Sequence, residues 1–225
     1  GRLAPWHYKW EELNNGGFSL WGHVFESLGA KTGALREAPT AQNLKSADIY
    51  IIVDPDTQKE TERPNFVQPA HVEAVAEWVR AGGVLVLMGN DAGNAEFEHF
   101  NTLAGRFGIR FNEDSRNRVQ GTAFETGLVS APQGHEVFKT ARRLHLKELS
   151  TLNVSPPAKP LLESEGHVVM ATAKFGRGTV FAVGDPWLYN EYVDGRKLPA
   201  GWDNYKAAQD LSRWLIQQTA AARKR

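Results

Sequence analysis

An unbroken apolar run near the middle of the chain, Val84–Met88, is the feature that most constrains the fold. Five consecutive large apolar residues are too few to cross a membrane and suit a strand that is buried on both faces. The run follows Gly82-Gly83 and ends in a loop of turn-forming residues at 89–94. Apolar residues then recur at helical spacing over 97–107. Strand, polar loop and helix in this order predict a parallel sheet whose carboxyl edge carries the functional site.

Two further apolar runs, residues 49–53 and 179–183, have the same character. We expect all three runs to be adjacent, mainly parallel central strands, because continuous apolar strands need cover on both faces. Amphipathic stripes such as 72–79 predict the covering helices. A hairpin signal at 174–178 and short strands between 120 and 165 add a short antiparallel extension in the second half. The predicted fold class is therefore α/β, with helices on both faces of a mainly parallel central sheet.

The length of the chain predicts one large domain with short appendages. It has 225 residues, of which 41% are hydrophobic, and this suits a single α/β domain over residues 17–220. Residues 1–16 are polar and aromatic without a clear period, and we interpret them as an N-terminal arm or linker. Residues 221–225 end in a short basic sequence and are predicted to be a frayed tail.

Balanced charge and the absence of cysteine exclude several classes of function. There are 26 basic and 26 acidic residues, so we expect neither nucleic acid nor a membrane surface as a partner. No apolar run approaches the roughly 20 residues of a transmembrane helix. Without cysteine there is no disulfide, no thiolate metal site and no cysteine nucleophile. Because phosphate-loop, serine-hydrolase and zinc motifs are also missing, the sequence predicts no cofactor and no metal-binding residue.

Polar side chains follow each of the three predicted central strands. The carboxyl ends of parallel strands meet at one edge of a sheet, so these side chains are expected to converge around one crevice. Glu96 and His99 lie three positions apart on the next helix and would add a carboxylate and an imidazole. The residues after the strands are Asp54, Asn90, Asp91, Asn94, Asp185 and Asn190.

Such a set of groups is compatible with three kinds of chemistry. Asp91, Glu96, His99 and Asp185 are candidate catalytic residues, acting as general acid and base on a glycosidic bond. The oxygens could instead hold a hard cation, or bind a hydroxyl-rich ligand without reaction. Equally, Asn and Asp after strands serve as ordinary caps and turn residues, and a Glu–His pair three apart is common on helix surfaces.

Aromatic residues in predicted loops are a second candidate ligand surface. Trp187 and Tyr189 follow closely after the predicted strand ends at Gly184, and Trp202 lies in a later loop. Rings at such positions suit stacking on sugars or burial against a partner protein. The alternative interpretation is that Trp187 and Tyr189 fold back over the core.

Four segments resemble a bacterial domain of uncharacterised function. They are residues 50–57 (YIIVDPDT), 82–91 (GGVLVLMGND), 111–118 (FNEDSRNR) and 178–192 (GTVFAVGDPWLYNEY). That domain is often joined to, or encoded beside, unsaturated glucuronyl and rhamnogalacturonyl hydrolases of glycoside hydrolase families 88 and 105. More distantly, the chain is similar to the class I glutamine amidotransferase-like fold, whose sheet is flavodoxin-like. Those enzymes have a cysteine nucleophile after a central strand, so glutaminase chemistry is excluded for this chain.

The resemblance implies a carbohydrate context. We expect an accessory or binding domain of a system that degrades uronic-acid polysaccharides of the pectin or rhamnogalacturonan type. Its partner would be an acidic oligosaccharide or the catalytic domain of a glycoside hydrolase, with Trp187 and Tyr189 in the contact. The family context also implies a periplasmic or secreted location. The alternative is a hydrolase that acts on such oligosaccharides through the carboxylate and histidine site.

Overall fold

The computed structural model describes residues 7–223 of the chain. In chain order the elements are α1 (Ser19–Ser27), β1 (Ile49–Val53), α2 (Pro69–Arg80), β2 (Val84–Met88), α3 (Phe97–Gly105), β3 (Ile109–Phe111), β4 (Leu128–Ser130), β5 (Arg143–His145), β6 (Leu152–Val154), β7 (Ala158–Ser164), β8 (His167–Phe175), β9 (Gly178–Val183), α4 (Asn190–Val193) and α5 (Asn204–Arg223). Two short 3₁₀ turns, Asn43–Ser46 and Phe124–Gly127, complete the regular structure of the described residues.

Internal contacts divide the chain into two compact units. Among the described residues, the sheet unit comprises 35–118, 147–185 and 215–223, and the aromatic unit comprises 7–34, 119–146 and 186–214. The prediction of a single domain over 17–220 stays a prediction. The predicted frayed tail begins at residue 221, but α5 continues to Arg223, whose guanidinium lies 2.5 Å from Asp48; the last two residues lie outside the described part.

The three apolar runs form neighbouring parallel strands in the order β1-β2-β9, which confirms their predicted pairing. Their register places Val86 beside Ile51 on one side and beside Phe181 on the other. All residues of β2 and β9 are buried. The predicted central place of β1 is wrong, because among the described strands it pairs with β2 alone and is half-buried along its length.

The rest of the sheet is antiparallel. Beyond β9 the order continues through β8 and β6 to β3, and β7 also pairs with β8. The predicted hairpin between β8 and β9 is confirmed, but the extension is larger than expected, since β7 and β8 have seven and nine residues. The protein is thus a mixed α/β structure. In the strand order of its sheet, the strands at the β1 end are parallel and those at the β3 end are antiparallel.

Helices cover both faces of the sheet unit, as predicted. On one face, buried residues of α2 and α3 such as Val75 and Phe100 share a core with Leu87 and Val180. Thr179 points to the opposite face because side chains alternate along a strand. There Gln218, near the end of α5, lies 3.5 Å from Thr179 Oγ1 and accepts a 2.7 Å hydrogen bond from Lys174 Nζ.

The aromatic unit is built on rings packed around α1. Trp21 is fully buried, its ring centroid lies 5.2 Å from that of Phe18, and its indole Nε1 donates to Ser212 Oγ at 3.0 Å. Trp10, from the predicted arm, packs on Trp21 at 5.6 Å between ring centroids. In this unit β4 and β5 form an antiparallel pair. No helix in the described part of the chain is long and apolar enough to cross a membrane.

Replacing Leu87 with Ala tests the buried parallel core. Leu87 has no exposed surface, so the substitution should lower the free energy of unfolding by about 2–5 kcal/mol through the cavity that it leaves. Leu35→Ala is the matched control in the same unit, since Leu35 is 38% exposed and should lose less than about 1 kcal/mol. Urea denaturation measures both. Equal losses for the two variants would contradict the assignment of β2 to the core.

Candidate functional site

The ends of β1 and β2 carry a pair of hydrogen-bonded side chains. Asn90 Nδ2 donates to Asp54 Oδ2 at 3.1 Å, and the backbone N–H of Asp54 donates to Met88 O at 2.9 Å, so the parallel ladder holds Asp54 in place. Asn90 Oδ1 accepts from the backbone N–H of Asp91 at 2.9 Å. Asp54 and Asn90 are both half-buried. The structure therefore brings together these two predicted ligand-binding residues at the carboxyl edge.

Two residues at this edge have backbone angles that are unusual for side chains other than glycine. Asp54 has a φ of 45° and Glu148 a φ of 48°, which is the left-handed region. Such conformations cost free energy and persist only where the surrounding structure fixes them, and they concentrate at functional sites. The two angles are thus an independent reason to examine this edge for function.

Close backbone packing requires glycine where β2 and β9 end. A Cβ atom on Gly184 would lie 1.8 Å from the carbonyl oxygen of Ser150, and one on Gly89 would lie 2.8 Å from a ring carbon of Phe111. Ser150 N also donates to Gly184 O at 3.1 Å. The turn after β9, which positions Asp185, is therefore held against residues 147–150.

Asp185 is a buried carboxyl group at the end of β9. Its Oδ2 accepts a 2.9 Å hydrogen bond from the backbone N–H of Lys147. Burial raises the pKa of Asp185 well above its usual value, and the negative charges of Asp54 and Glu148 raise it further. The N–H and the positive charge of Lys147 oppose this increase without cancelling it. Desolvation dominates, so the carboxyl keeps its proton to a higher pH than an exposed aspartate does.

The rim of the edge contains two residues that the sequence did not single out. Lys147 and Glu148 are half-buried, and their Nζ and Oε2 atoms are 2.7 Å apart. They come from the loosely patterned middle of the chain, where no strand end or motif marks them. We call Asp54, Asn90, Lys147, Glu148 and Asp185 together the edge cluster.

Asp91 fastens two loops together instead of facing a ligand. It is buried, its Oδ1 accepts from Asn94 Nδ2 at 2.5 Å, and its Oδ2 accepts from Ser115 Oγ. The backbone joins the same two loops, because Ala92 N donates to Asp114 O at 3.0 Å. Both carboxylate oxygens of Asp91 thus have structural partners. Asn94, predicted to bind ligand, is exposed and forms part of this loop anchor.

Glu96 and His99 are in contact, as their spacing predicts, but Glu96 is first a helix cap. Its Oε1 and Oε2 accept from the backbone N–H of His99 at 3.0 and 3.2 Å, at the start of α3. His99 Nδ1 lies 3.0 Å from Glu96 Oε1, and the imidazole stacks on Phe66 with 4.4 Å between centroids. Together with Glu98 these side chains place ligand atoms within 4.8 Å of one another, a spacing that could hold a metal ion.

The residues that follow β9 are more buried than the sequence analysis predicted. Trp187 has no exposed surface and packs edge-on against Phe138, so the prediction that its ring stacks on a ligand is wrong. Tyr189 is half-buried, 5.5 Å from the ring of Tyr8. Asn190 is buried, and its Nδ2 lies 2.9–3.0 Å from three oxygens of residues 12–19. All three belong to the aromatic unit. Burial of large apolar rings outweighs their position after a strand.

Residues 15–194 match the family described as "Domain of unknown function (DUF4350)", and the chain therefore belongs to this family. No curated protein matches the sequence. Among solved structures, the mmIFT52 N-terminal domain is similar with a TM-score of 0.67, at 20% identity over 85% of this chain and 90% of that one. The Cytoplasmic Protein STM1381 from Salmonella typhimurium LT2 has a TM-score of 0.60, at 14% identity over 91% and 86%.

A part of a larger enzyme has a similar fold as well. The beta-galactosidase from Rahnella sp. R3 has a TM-score of 0.51 at 16% identity, over 77% of this chain and 23% of that one. At these identities the likenesses show the fold alone.

The raised pKa of Asp185 predicts a pH-dependent effect of Asp185→Asn. In the unfolded chain the carboxyl ionises above about pH 3.9, whereas in the folded protein it ionises only above its raised pKa. Between these values the folded state binds more protons, so wild-type stability falls as pH rises. An asparagine side chain does not ionise, so the variant lacks this contribution to the pH dependence of stability. The stability of the variant relative to wild type should therefore increase with pH in this window, by at most about 1.4 kcal/mol per pH unit.

Urea denaturation of both proteins at about pH 5 and pH 7 measures this difference. Asp48→Asn, at an exposed aspartate of the sheet unit, controls for the loss of a carboxylate. A stability difference between the Asp185 variant and wild type that stays constant over this pH range would show that Asp185 is ionised in the folded protein.

Proposed function

We propose that this member of the DUF4350 family is a ligand-binding accessory domain of a system that degrades uronic-acid polysaccharides of the pectin or rhamnogalacturonan type. The observation that carries the proposal is the hydrogen-bonded pair of Asp54 and Asn90 at the ends of two parallel strands. In open α/β sheets, ligands bind outside the carboxyl ends of the strands. The partner would be an acidic oligosaccharide or the catalytic domain of a glycoside hydrolase.

The chemistry of the edge cluster suits a ligand with many hydroxyl groups. A carboxylate accepts hydrogen bonds, an amide both donates and accepts, and an ammonium group donates. Asp54, Asn90 and Lys147 supply these three groups, and all three are half-buried and so reach solvent. Lys147 Nζ lies 2.7 Å from Glu148 Oε2, so the carboxylate of a uronic acid would bind Lys147 by replacing Glu148 as its partner.

The sugar context of the proposal comes from resemblance. The four segments that resemble the domain associated with glycoside hydrolase families 88 and 105 include both strand ends of the Asp54–Asn90 pair. This resemblance supports a carbohydrate system, and the hydrogen-bonding groups of the edge cluster support a ligand with many hydroxyl groups.

We also infer that the sheet is a variant of the flavodoxin-like, glutamine amidotransferase-like fold. The parallel β1-β2-β9 core and the β2–loop–α3 unit support this class. The amidotransferase nucleophile position falls in the loop after β2, where Gly89, Asn90 and Asp91 stand. The amide and carboxylate groups at this position bond to the same chain, Asn90 to Asp54 and Asp91 to Ser115.

A hydrolase is the second candidate, and the raised pKa of Asp185 favours it. Glycoside hydrolases pair one protonated carboxyl, which protonates the leaving group, with one ionised carboxylate. Asp185 and Asp54 interact electrostatically and could fill these roles. Asp91 is engaged in the loop anchor and Glu96 in the helix cap, so neither is free to take part without rearrangement. Burial of Asp185 makes binding without reaction the better-supported function.

Asn90→Ala tests the proposed binding function. Removing the amide deletes the hydrogen bond to Asp54 and one polar group of the cluster, so the dissociation constant for tetragalacturonic acid should rise about tenfold. Isothermal titration calorimetry measures the change. Asn153→Ala is the matched control, because Asn153 is an exposed asparagine of the same unit that bonds to Asn112 instead.

Mass spectrometry of the titrated mixture separates the two candidates. Intact tetragalacturonic acid after prolonged incubation supports the binding domain, whereas cleaved products that disappear in Asp185→Asn support the hydrolase. If wild type shows no heat of binding with this oligosaccharide and none with a partner glycoside hydrolase, the proposed function is wrong.

A further inference from the structure

We infer that the aromatic unit carries a separate ligand site, a cavity that takes a pyranose ring. The cavity has a volume of about 440 Å³, which lies in the usual range for small-molecule sites. This site does not rest on the edge cluster, because every residue that forms it belongs to the aromatic unit. We call it the aromatic cavity; its lining includes Leu20, Tyr192, Asp194, Leu198, Trp202 and Tyr205.

Two rings in the cavity wall are available to a ligand. Tyr205 is 44% exposed at the start of α5, although large aromatic side chains are usually more buried. Trp202 precedes it by three positions and is half-buried. Tyr192, by contrast, is almost fully buried in α4 and forms the floor with Leu198. The exposed ring of Tyr205, together with the part of Trp202 that Arg143 and His145 leave uncovered, gives a ligand two apolar surfaces.

The segment that carries these rings is held firmly before any ligand binds. Asn204 Oδ1 accepts from His145 N at 2.8 Å, and its Nδ2 donates to His145 O at 3.1 Å. Asp203 Oδ2 accepts from the backbone N–H of Arg142 at 2.9 Å and of Arg143 at 3.2 Å. Hydrogen bonds of Asp203 and Asn204, which directly follow Trp202, therefore hold this loop against β5. A fixed ring loses little conformational entropy when a ligand stacks on it.

The charges around the rings argue against a cationic ligand. Aromatic cages bind ammonium groups through the negative faces of their rings. Here the guanidinium carbon of Arg143 already lies 4.9 Å from the centroid of Trp202, and Lys197 Nζ lies 5.6 Å from that of Tyr192. Each of these cations already lies over a ring and is paired with a carboxylate, Arg143 with Glu125 and Lys197 with Glu191, so an ammonium ligand would compete with them for those ring faces.

The polar rim argues against a purely apolar ligand. Asp194 lines the cavity and forms an ion pair with Arg196, and Lys197 lies 3.1 Å from Glu191. An apolar group placed against these charges would remove water from them without replacing its hydrogen bonds. A ligand with one apolar face and polar groups at its edge satisfies both surfaces. A pyranose ring has this distribution, with C–H groups on its faces and hydroxyl groups around its edge.

Substitution of Tyr205 tests the inference with the smallest effect on folding, since its ring is the most exposed in the cavity. The probes are cellotetraose, mannotetraose, tetragalacturonic acid and tetramethylammonium chloride, each titrated by calorimetry. We expect at least one oligosaccharide to bind. Tyr205→Ala should weaken its binding by about tenfold, which is about 1.4 kcal/mol, and Tyr205→Phe, which keeps the ring, by less than about twofold. Tetramethylammonium should not bind.

Trp202→Ala is the second variant and should weaken the binding of the same oligosaccharide by at least as much as Tyr205→Ala does. Near-ultraviolet circular dichroism confirms that each variant keeps its tertiary structure. If Asn90→Ala abolishes oligosaccharide binding while both cavity variants bind like wild type, the cavity inference is wrong and the proposed function stands. Binding of tetramethylammonium alone would overturn the assigned ligand class, and the absence of binding by every probe would overturn the site.

Discussion

The burial of β2 between two parallel neighbours is the constraint on which the rest of the sheet unit depends. All five of its residues are without exposed surface, so each backbone N–H and C=O must find a partner in β1, in β9 or in the residues next to them. Apolar contacts with α2 and α3 on one face stabilise this arrangement. Because parallel strands all end on the same side, the arrangement also decides where the polar residues that follow them lie.

The edge cluster is a consequence of that geometry. Gly89 and Gly184 let the strand ends pass close to Phe111 and Ser150, where any side chain would collide. The next residues are then placed at a rigid edge, with Asp54 and Asn90 half-buried and Asp185 buried beneath an N–H donor. The same edge thus combines groups that reach solvent with a carboxyl whose pKa is raised by burial. Recognition of hydroxyl groups needs the former, and proton transfer would need the latter.

Much of this could be predicted from sequence, and the failures have physical causes. A strand that is buried on both faces appears in the sequence as a continuous apolar run. Such runs therefore predicted β2, β9 and their parallel pairing correctly. Trp187 follows a strand end, but its large apolar ring gains more from burial than from exposure. Asp91 was predicted to be catalytic because it follows a strand end, but in the structure it accepts a hydrogen bond from Ser115, a residue of a distant loop that the local pattern does not connect with it. Lys147 reaches the edge through tertiary folding that no local pattern records.

Amide chemical shifts of the isotope-labelled protein, followed during titration with tetragalacturonic acid, test the central claim most directly. We expect saturable shifts of the backbone amides of Asp54 and Asn90, and of the Asn90 side-chain amide that donates to Asp54. In Asn90→Ala the same titration should need about tenfold more ligand. Shifts that leave both residues unchanged at saturation would contradict the claim that the carboxyl edge of the parallel strands is the binding site.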